Sequence, residues 1–582
     1  MNNEWNLDVL YKGLSDPSYE KDMNALKESN ASIHALVEKA KDLPEKDRAE
    51  EILLALEENC RIFYRLGSYL SLRQSTNTED GDIMAQNNRL MKIYADGAAD
   101  FTACDHILGE LSDVDALAKE SALIDEYKFL LKEKKKSCAH LLSNDVEAMI
   151  SAMDMTGGSA WSRLQSYLAS TVKVDYEGKQ ITLTEARNLA YSPDAKIRKA
   201  AYDAELAAYD KIADSIAFSL NNIKNQNIML AAKRGYESPL AMTLEQSRMT
   251  RETLDAMMEA VEEYLPVFRK YLRHKGELLG HKNGLPFYDL FAPLGKSDKS
   301  YSIEEAKEYL VDCFSSLSSD IADLMKEAFE NEWIDFYPRN GKEGGAFCAE
   351  INELGQSRIL TNFDGTFSAV DTLAHELGHA FHNRQMETAR ILNQDYSMPV
   401  AETASTFNEV HLGAYALKNA KGEERLALLE SDLREKTQCI VDIYSRYLFE
   451  TAVYEKCQDK FLMAEDLKEI MLDCQRRSYG DGLDEAFLHP YMWACKSHYY
   501  ISSLSFYNFP YTFGNLFAEG LYALYLKEGE SFIPKYKEML HNTGCSTIEE
   551  SGKQIGVDLT KKEFWENSLK LMAEEIEEFL KM

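Results

Sequence analysis

Apolar residues recur along this chain at three- and four-residue intervals, separated by Glu- and Lys-rich positions. That period marks amphipathic helices and predicts a mainly α fold through nearly the whole length. Two stretches break it. Across 172–183 apolar and polar residues alternate on either side of Glu177-Gly178, which predicts a β-hairpin. A second hairpin is predicted where residues 346–350 and 358–362 flank the polar turn 351–357. After the first hairpin, Ser192 as cap and Pro193 at the first helical position predict a helix running to about Arg234-Gly235. Thr250 caps the next, which ends near Gly280. Residues 1–194 read as an N-terminal helical lobe and 195–582 as a second domain, with no repeat or low-complexity linker between them. The last stretch, 563–582, is an amphipathic helix suited to packing on the body or on a partner.

Within the second domain the helical pattern of 370–382 carries His375-Glu376-Leu377-Gly378-His379. Residues four apart on an α-helix differ by about 40° around the axis, so both imidazoles leave one face about a turn apart. Two nitrogens so placed reach one tetrahedral metal ion, and the spacing is that of zinc hydrolases. Glu376 projects from the flank of that face, where a carboxylate holds a water without ligating the ion. Thr366, Ser368 or Asp371 can cap the helix, and Leu373, Ala374, Leu377, Ala380 and Phe381 give it apolar flanks. The alternative, a core helix with two ordinary histidines, needs a separate partner for each buried imidazole and for the carboxylate.

A catalytic zinc ion takes three protein ligands and keeps one position open. The metzincin third ligand is absent, because His382 and Gln385 stand where Gly and His are required. Downstream acids are Glu387, Glu402 and Glu409. Glu387 falls at the end of the same helical pattern and is badly placed to fold back onto the metal. Pro399 opens a new helix after a polar connection, and an antiparallel pair of helices brings Glu402 beside His375 and His379. Ala401, Thr403, Ala404 and Ser405 are small enough for close approach. Glu409, seven residues on, shares that face and suits a role orienting a histidine. His382 reaches away from the second helix and reads as a core or channel-lining residue.

The 346–362 hairpin precedes this helix, and an exposed strand edge near a metal can pair with an extended peptide. Gly344-Gly345 permits close backbone approach there, and no Gly-Lys-Ser/Thr follows to make a phosphate loop. The aromatic segment 498–513 supplies imidazole and phenol donors of the kind that stabilise a developing oxyanion. Tyr507 and Tyr511, four apart, are expected on one helical face.

At 582 residues and 45% hydrophobic content the chain can bury a large core. No interval approaches the roughly 18 apolar residues of a membrane span. Ten cysteines without CxxC spacing favour free thiols, and the first residues lack a secretory pattern, so a cytoplasmic location is expected. A formal charge of −32 repels nucleic acid and gives a mild bias toward cationic peptides. The one basic run, 132–136, reads as a solvated helix face.

The run 372–382, with Glu402 and Glu409 in a Val-Ala-Glu-Thr-Ala-Ser-Thr-Phe-Asn-Glu setting, resembles the oligoendopeptidase F branch of the thimet oligopeptidase family of zinc metallopeptidases. Residues 288–294, 341–347, 359–365 and 498–513 resemble further blocks of that family in the same order, and the likeness spans roughly 110–580. The resemblance implies a two-lobed, helical, zincin-like peptidase with a deep substrate channel, of the gluzincin type. It implies one Zn²⁺ per chain on His375, His379 and Glu402, with Glu376 as general base. It also implies His498, Tyr507 and Tyr511 as the substrate-facing donors. The expected activity is hydrolysis of internal bonds in short unstructured peptides, with neither nucleic acid nor membrane as partner. A zinc exopeptidase, which needs a charged group to fix a free terminus, is the competing enzyme reading. A non-catalytic peptide-binding shell is the competing reading of another class, and it predicts a broken metal set.

Overall fold

The computed structural model describes residues 3–296 and 299–582, and helices make up most of them. Among the described residues there are five short strands: β1 (Lys173–Tyr176), β2 (Lys179–Thr182), β3 (Ile334–Asp335), β4 (Phe347–Ile351) and β5 (Gln356–Leu360). Among the described residues no helix is long and apolar enough to cross a membrane. All ten cysteines are free thiols.

The chain divides into two compact units, each gathered from three separate stretches. One takes the chain up to residue 141 together with 299–412 and 527–555; the other takes 142–296, 413–526 and 556–582. This division does not follow the linear boundary at residue 194. The helix carrying His375 and His379 (Phe367–Met386) is grouped with the N-terminal helices. The reason is a shared core: Tyr11, Tyr19, Met23 and Tyr69 from the N-terminal region bury Ile351 and Leu360 of β4 and β5.

In the first unit, the helices Pro17–Lys39, Glu45–Thr76 and Gly81–Gly109 bring their apolar faces together. Asp16 caps the first, accepting from the Ser18 amide at 2.9 Å. The small sheet has order β3-β5-β4, with β4 antiparallel and β3 parallel to β5. The predicted hairpin is therefore present, with a third strand that leaves β4 at the edge. Phe347, Ala349 and Ile351 face the N-terminal core, so Cys348 and Glu350 point to the opposite face. Within the sheet Asp335 of β3 is fully buried and holds Arg339 at 2.6 and 2.8 Å and Lys342 at 2.6 Å. That pairing ties the 337–345 loop to the strand, and burial of a charge demands such partners.

In the second unit, β1 and β2 form the other predicted hairpin, with Val174 opposite Ile181. Glu177 and Gly178 have φ of 47° and 77°, the left-handed pair that a type I′ turn requires. The helix expected from Ser192 to Arg234 is two helices, Ala195–Asp210 and Ala213–Lys233. Asp194, not Ser192, is its cap, accepting from the Lys196 amide at 2.8 Å, while the Ser192 hydroxyl accepts from the Asp194 amide. The interruption at Ile212 coincides with Lys211 reaching the hairpin, 3.2 Å from the Lys173 carbonyl and 2.9 Å from Asp175. Thr250 caps Arg251–Leu278 as expected. The closing helix, Lys562–Phe579, packs along it on the body, with Phe579 edge-on to Tyr271 at 5.1 Å.

Candidate metal centre

Thr366 begins the metal helix, its hydroxyl accepting from the Ala369 amide at 3.2 Å while Asp364 receives its own amide at 3.0 Å. The helix runs Phe367–Met386, with Leu373, Ala374, Leu377, Gly378 and Ala380 buried. His375 and His379 therefore leave one face, their ring centroids 4.9 Å apart and planes 82° to each other. The second helix starts as a short turn, Met398–Ala401, and resumes as Thr403–Asn419. Glu402 stands at the break between them, with φ −93° and ψ 9°. Its Oε2 lies 3.3 Å from Nε2 of His375 and 3.3 Å from Nε2 of His379.

Those separations suit a bound ion. Two atoms each about 2.05 Å from a tetrahedral zinc ion lie about 3.3 Å apart. The three ligand atoms all fall within 4.8 Å of one another, and two imidazoles with one carboxylate are a set that zinc favours. The carboxylate of Glu402 is half exposed, so the site is open to water on that side. Ser405 donates to the same Oε2 at 2.8 Å, fixing the carboxylate's orientation. Glu409 Oε1 lies 2.9 Å from Nδ1 of His375 and turns Nε2 toward Glu402.

Close approach of the two helices makes this possible. A Cβ at Gly378 would lie 2.5 Å from the Ala404 carbonyl oxygen and 2.6 Å from Ser405 Cα, so only glycine fits. Asn408 fastens the pair by donating to the Ala374 carbonyl at 2.9 Å. Of the small residues anticipated at the contact, Ala404 and Ser405 make it.

The electrostatics follow from the crowding. Burial works against a charged His375, yet its hydrogen bonds with Glu402 and Glu409 overcome that and hold its pKa at about 11 without an ion. Burial likewise opposes ionisation of Glu402, but the two histidines hold its carboxyl well below the usual range. Glu376 is almost fully buried, and burial raises its pKa above the ordinary glutamate value against the charges of His375 and His379. A carboxylate so placed is disposed to accept a proton.

Glu387 lies at the end of the metal helix and pairs with Arg384 at 3.6 Å, outside the cluster. His382 is a core residue, bonded to Thr543 Oγ1 at 2.8 Å, with its pKa pushed down to about 3 by burial. It stacks on Tyr396 at 4.4 Å, a contact that no spacing in the sequence announces.

His498, Tyr507 and Tyr511 come together in the other compact unit. His498 Nε2 is 3.2 Å from the Tyr511 hydroxyl, and the ring centroids of Tyr507 lie 5.3 Å from His498 and 5.5 Å from Tyr511. Tyr507 precedes the helix Phe509–Glu528, so the shared helical face expected of the two tyrosines is not how they meet. Phe506, at φ 54°, turns the chain instead. Glu450 pins that turn, accepting from the Phe506 amide at 3.0 Å and from Asn508 at 2.7 Å, and it is itself paired with buried Lys224 at 2.6 Å. Burial and the charges of Arg446 and Lys496 push His498 down to about 4, so its ring is neutral near pH 7.

The model of peptidase family M3 matches residues 188–571, and that of the oligopeptidase F N-terminal region matches 111–173. Oligopeptidase PepF of Bacillus subtilis is 25% identical over 99% of this chain and 86% of its own length. An oligoendopeptidase F homolog of Lactococcus lactis is 24% identical, covering 99% of this chain and 97% of its own. In fold, a crystal structure from Chlamydophila abortus covers 100% of this chain and 98% of its own at 20% identity, with a TM-score of 0.88. The oligoendopeptidase F of Enterococcus faecium covers 97% and 98% at 19% identity, with a TM-score of 0.69.

Proposed function

Because the chain belongs to peptidase family M3, we propose that it is a zinc-dependent oligoendopeptidase cutting internal bonds of short, unstructured peptides. The observation that carries this reading is the convergence of His375, His379 and Glu402 at zinc-like spacings with Glu376 buried beside them. His375, His379 and Glu402 would hold the ion, and Glu409 would keep His375 turned toward it. When bound, zinc polarises the scissile carbonyl and lowers the pKa of the water it holds to about 7. Glu376 accepts that water's proton during attack and returns it to the departing amine. The raised pKa of Glu376 suits both halves of the transfer, since it takes a proton readily and yields it to a more basic amine. The oxyanion role proposed for His498, Tyr507 and Tyr511 rests on the family resemblance of their segment and on three donors meeting there.

The test is metal content together with turnover. Purified enzyme should carry close to one zinc per chain by elemental analysis. A chelator should abolish cleavage of a terminally blocked fluorogenic peptide while leaving the far-UV dichroism intact, and added zinc should restore it. Cleavage that persists in metal-free protein defeats the reading. Blocked peptides also separate this activity from exopeptidase action, which requires a free terminus.

A further inference from the structure

In the second unit a cavity of roughly 340 Å³ opens among the helices Leu183–Asn188 and Ala195–Asp210, the turn Phe287–Asp289 and the stretch from Met492. That is within the size range of ligand clefts. Its walls are aromatic. Tyr191, 54% exposed, tilts against Phe291 at 5.0 Å, Tyr202 against Tyr288 at 5.7 Å, and Phe287 lies 5.0 Å from His489. Rings in such pairs offer faces and edges to a further ring or alkyl group. Gln438 reaches the same space from Gln438–Asp442, a π-helical turn of the kind that recurs at functional sites.

Three cationic side chains line the cavity, Arg187, Arg198 and Lys496, against the single carboxylate of Glu205. Arg198 is spent: it is buried, and it donates to Asp289 at 2.7 Å and to the Ser192 carbonyl at 2.7 Å. Glu205 is shared between Arg187 at 3.7 Å and His489 at 3.5 Å, and the Cys495 sulfur also adjoins Arg187. Lys496 is half-buried, and among the described residues no carboxylate lies within ion-pair distance of its ammonium. Asp442, the carboxylate whose charge reaches it, is already held by Arg446 at 2.8 Å and by Tyr479 at 3.2 Å. Burial, and then the positive charge of Arg446, hold the Lys496 ammonium below the ordinary lysine range, and Arg187 is near enough to act in the same direction. A cation in that state is stabilised by an anion that reaches it.

We propose that this cavity binds an organic carboxylate with an apolar or aromatic body, its charge on Lys496 and Arg187 and its body among the tyrosine and phenylalanine rings. The cavity is many times the size of an inorganic anion, and its rings call for an apolar partner as its ammonium calls for a negative one. A polyphosphate brings more negative charge than one free ammonium and one shared guanidinium offset. A free amino group close to the carboxylate meets two like charges. The chemistry that fits is therefore an amino acid blocked at its nitrogen, or the last residue of a peptide.

The test reads binding by titration calorimetry on the full chain, with no turnover involved, so its outcome stands apart from the peptidase reading. It is run with and without chelator, because a carboxylate also ligates zinc. In both conditions N-acetylphenylalanine should bind saturably. N-acetylphenylalaninamide, which lacks only the charge, should bind on the order of tenfold more weakly, as loss of a charge-assisted hydrogen bond allows. With chelator present, Lys496→Met should erase the difference between acid and amide, and Lys496→Arg should keep it. The ammonium has no ion-pair partner to strand, so the fold tolerates its removal. Tyr191→Ala, at an exposed ring, should weaken acid and amide together. If N-acetyl-Gly-Gly-Phe binds as well as the single residue, the site takes peptide C-termini; if only the single residue binds, it takes small blocked acids. Equal affinity for acid and amide, no saturable binding of the acid, or a preference for the acid that survives Lys496→Met in chelated protein overturns the inference.

Discussion

The metal centre and the His498–Tyr507–Tyr511 cluster are assembled by different means. His375 and His379 are neighbours because an α-helix makes them so, and a glycine lets the carboxylate helix come within contact of them. The aromatic cluster has no such periodicity. Its members are drawn together by a left-handed turn at Phe506 that a buried Lys224–Glu450 pair holds in place. One site is written in local spacing and the other in a tertiary ion pair whose members are 226 residues apart and whose carboxylate lies 56 residues from the turn it holds. Candidate ligands can be read from helical spacing; a side-chain cluster placed by a distant charge cannot.

The first way to break this comparison is at Glu376. Glu376→Gln should keep zinc at the wild-type stoichiometry and lose about 10³-fold or more in kcat, since general acid–base help contributes 10²–10⁴. A variant that binds zinc and turns over normally removes Glu376 from the mechanism. Next is Lys224→Met, which strands the Glu450 carboxylate in the core. Breaking one side of a buried pair costs about 3–5 kcal/mol. The variant should melt earlier, and Lys224→Met with Glu450→Gln should recover part of the loss. If the cluster supplies donors, kcat should fall in the folded variant while zinc content stays the same.

Gly378→Ala gives a smaller effect of opposite sign to expectation from helix propensity. Alanine in a helix interior gains about 1 kcal/mol over glycine, but here its Cβ meets backbone, and overpacking costs about 1–3 kcal/mol. A lower melting temperature and weaker zinc retention in a competition titration are expected; a more stable variant would show that the helices separate freely. The mildest prediction concerns acid. Burial holds the pKa of His498 in the folded chain at about 4, below the ordinary histidine value of 6.5. The neutral ring therefore contributes stability that is whole above pH 6.5 and lost as pH falls through about 4. His498→Asn should flatten the decline of melting temperature across that window, measured beside wild type at equal ionic strength.

How far the sequence reached follows the same division. Both hairpins, the Thr250 and Thr366 caps and the pairing of His375 with His379 are local patterns, and the structure contains them, whereas Glu402 stands at a break between two helical pieces and not within a helix. The Ser192 helix was beyond reach in detail, because Asp194 competes for the cap and Lys211 is drawn to the hairpin. Tyr507 escaped the helical reading because Glu450 rewards a backbone conformation that phenylalanine does not prefer alone. The stacking of Tyr396 on His382 and the third strand β3 are likewise products of packing, with no signature in neighbouring residues. The mixed membership of the compact units has the same origin, since a core shared by Tyr69 and Leu360 ignores their distance along the chain.

The post that Glu402 occupies has a thermodynamic corollary. On the metal-site reading it would anchor the ion from a joint between two helical pieces, whereas both imidazoles ride on an uninterrupted rod. Loading the site would then clasp that joint shut, and chelation would leave it to the chain's own bonds, among them the Ser405 hydroxyl on the Glu402 carboxylate and the Thr406 amide on the Glu402 carbonyl. Amide exchange through 398–402 should quicken on chelation far more than exchange through 370–382, which makes the carboxylate arm the gate by which the ion comes and goes.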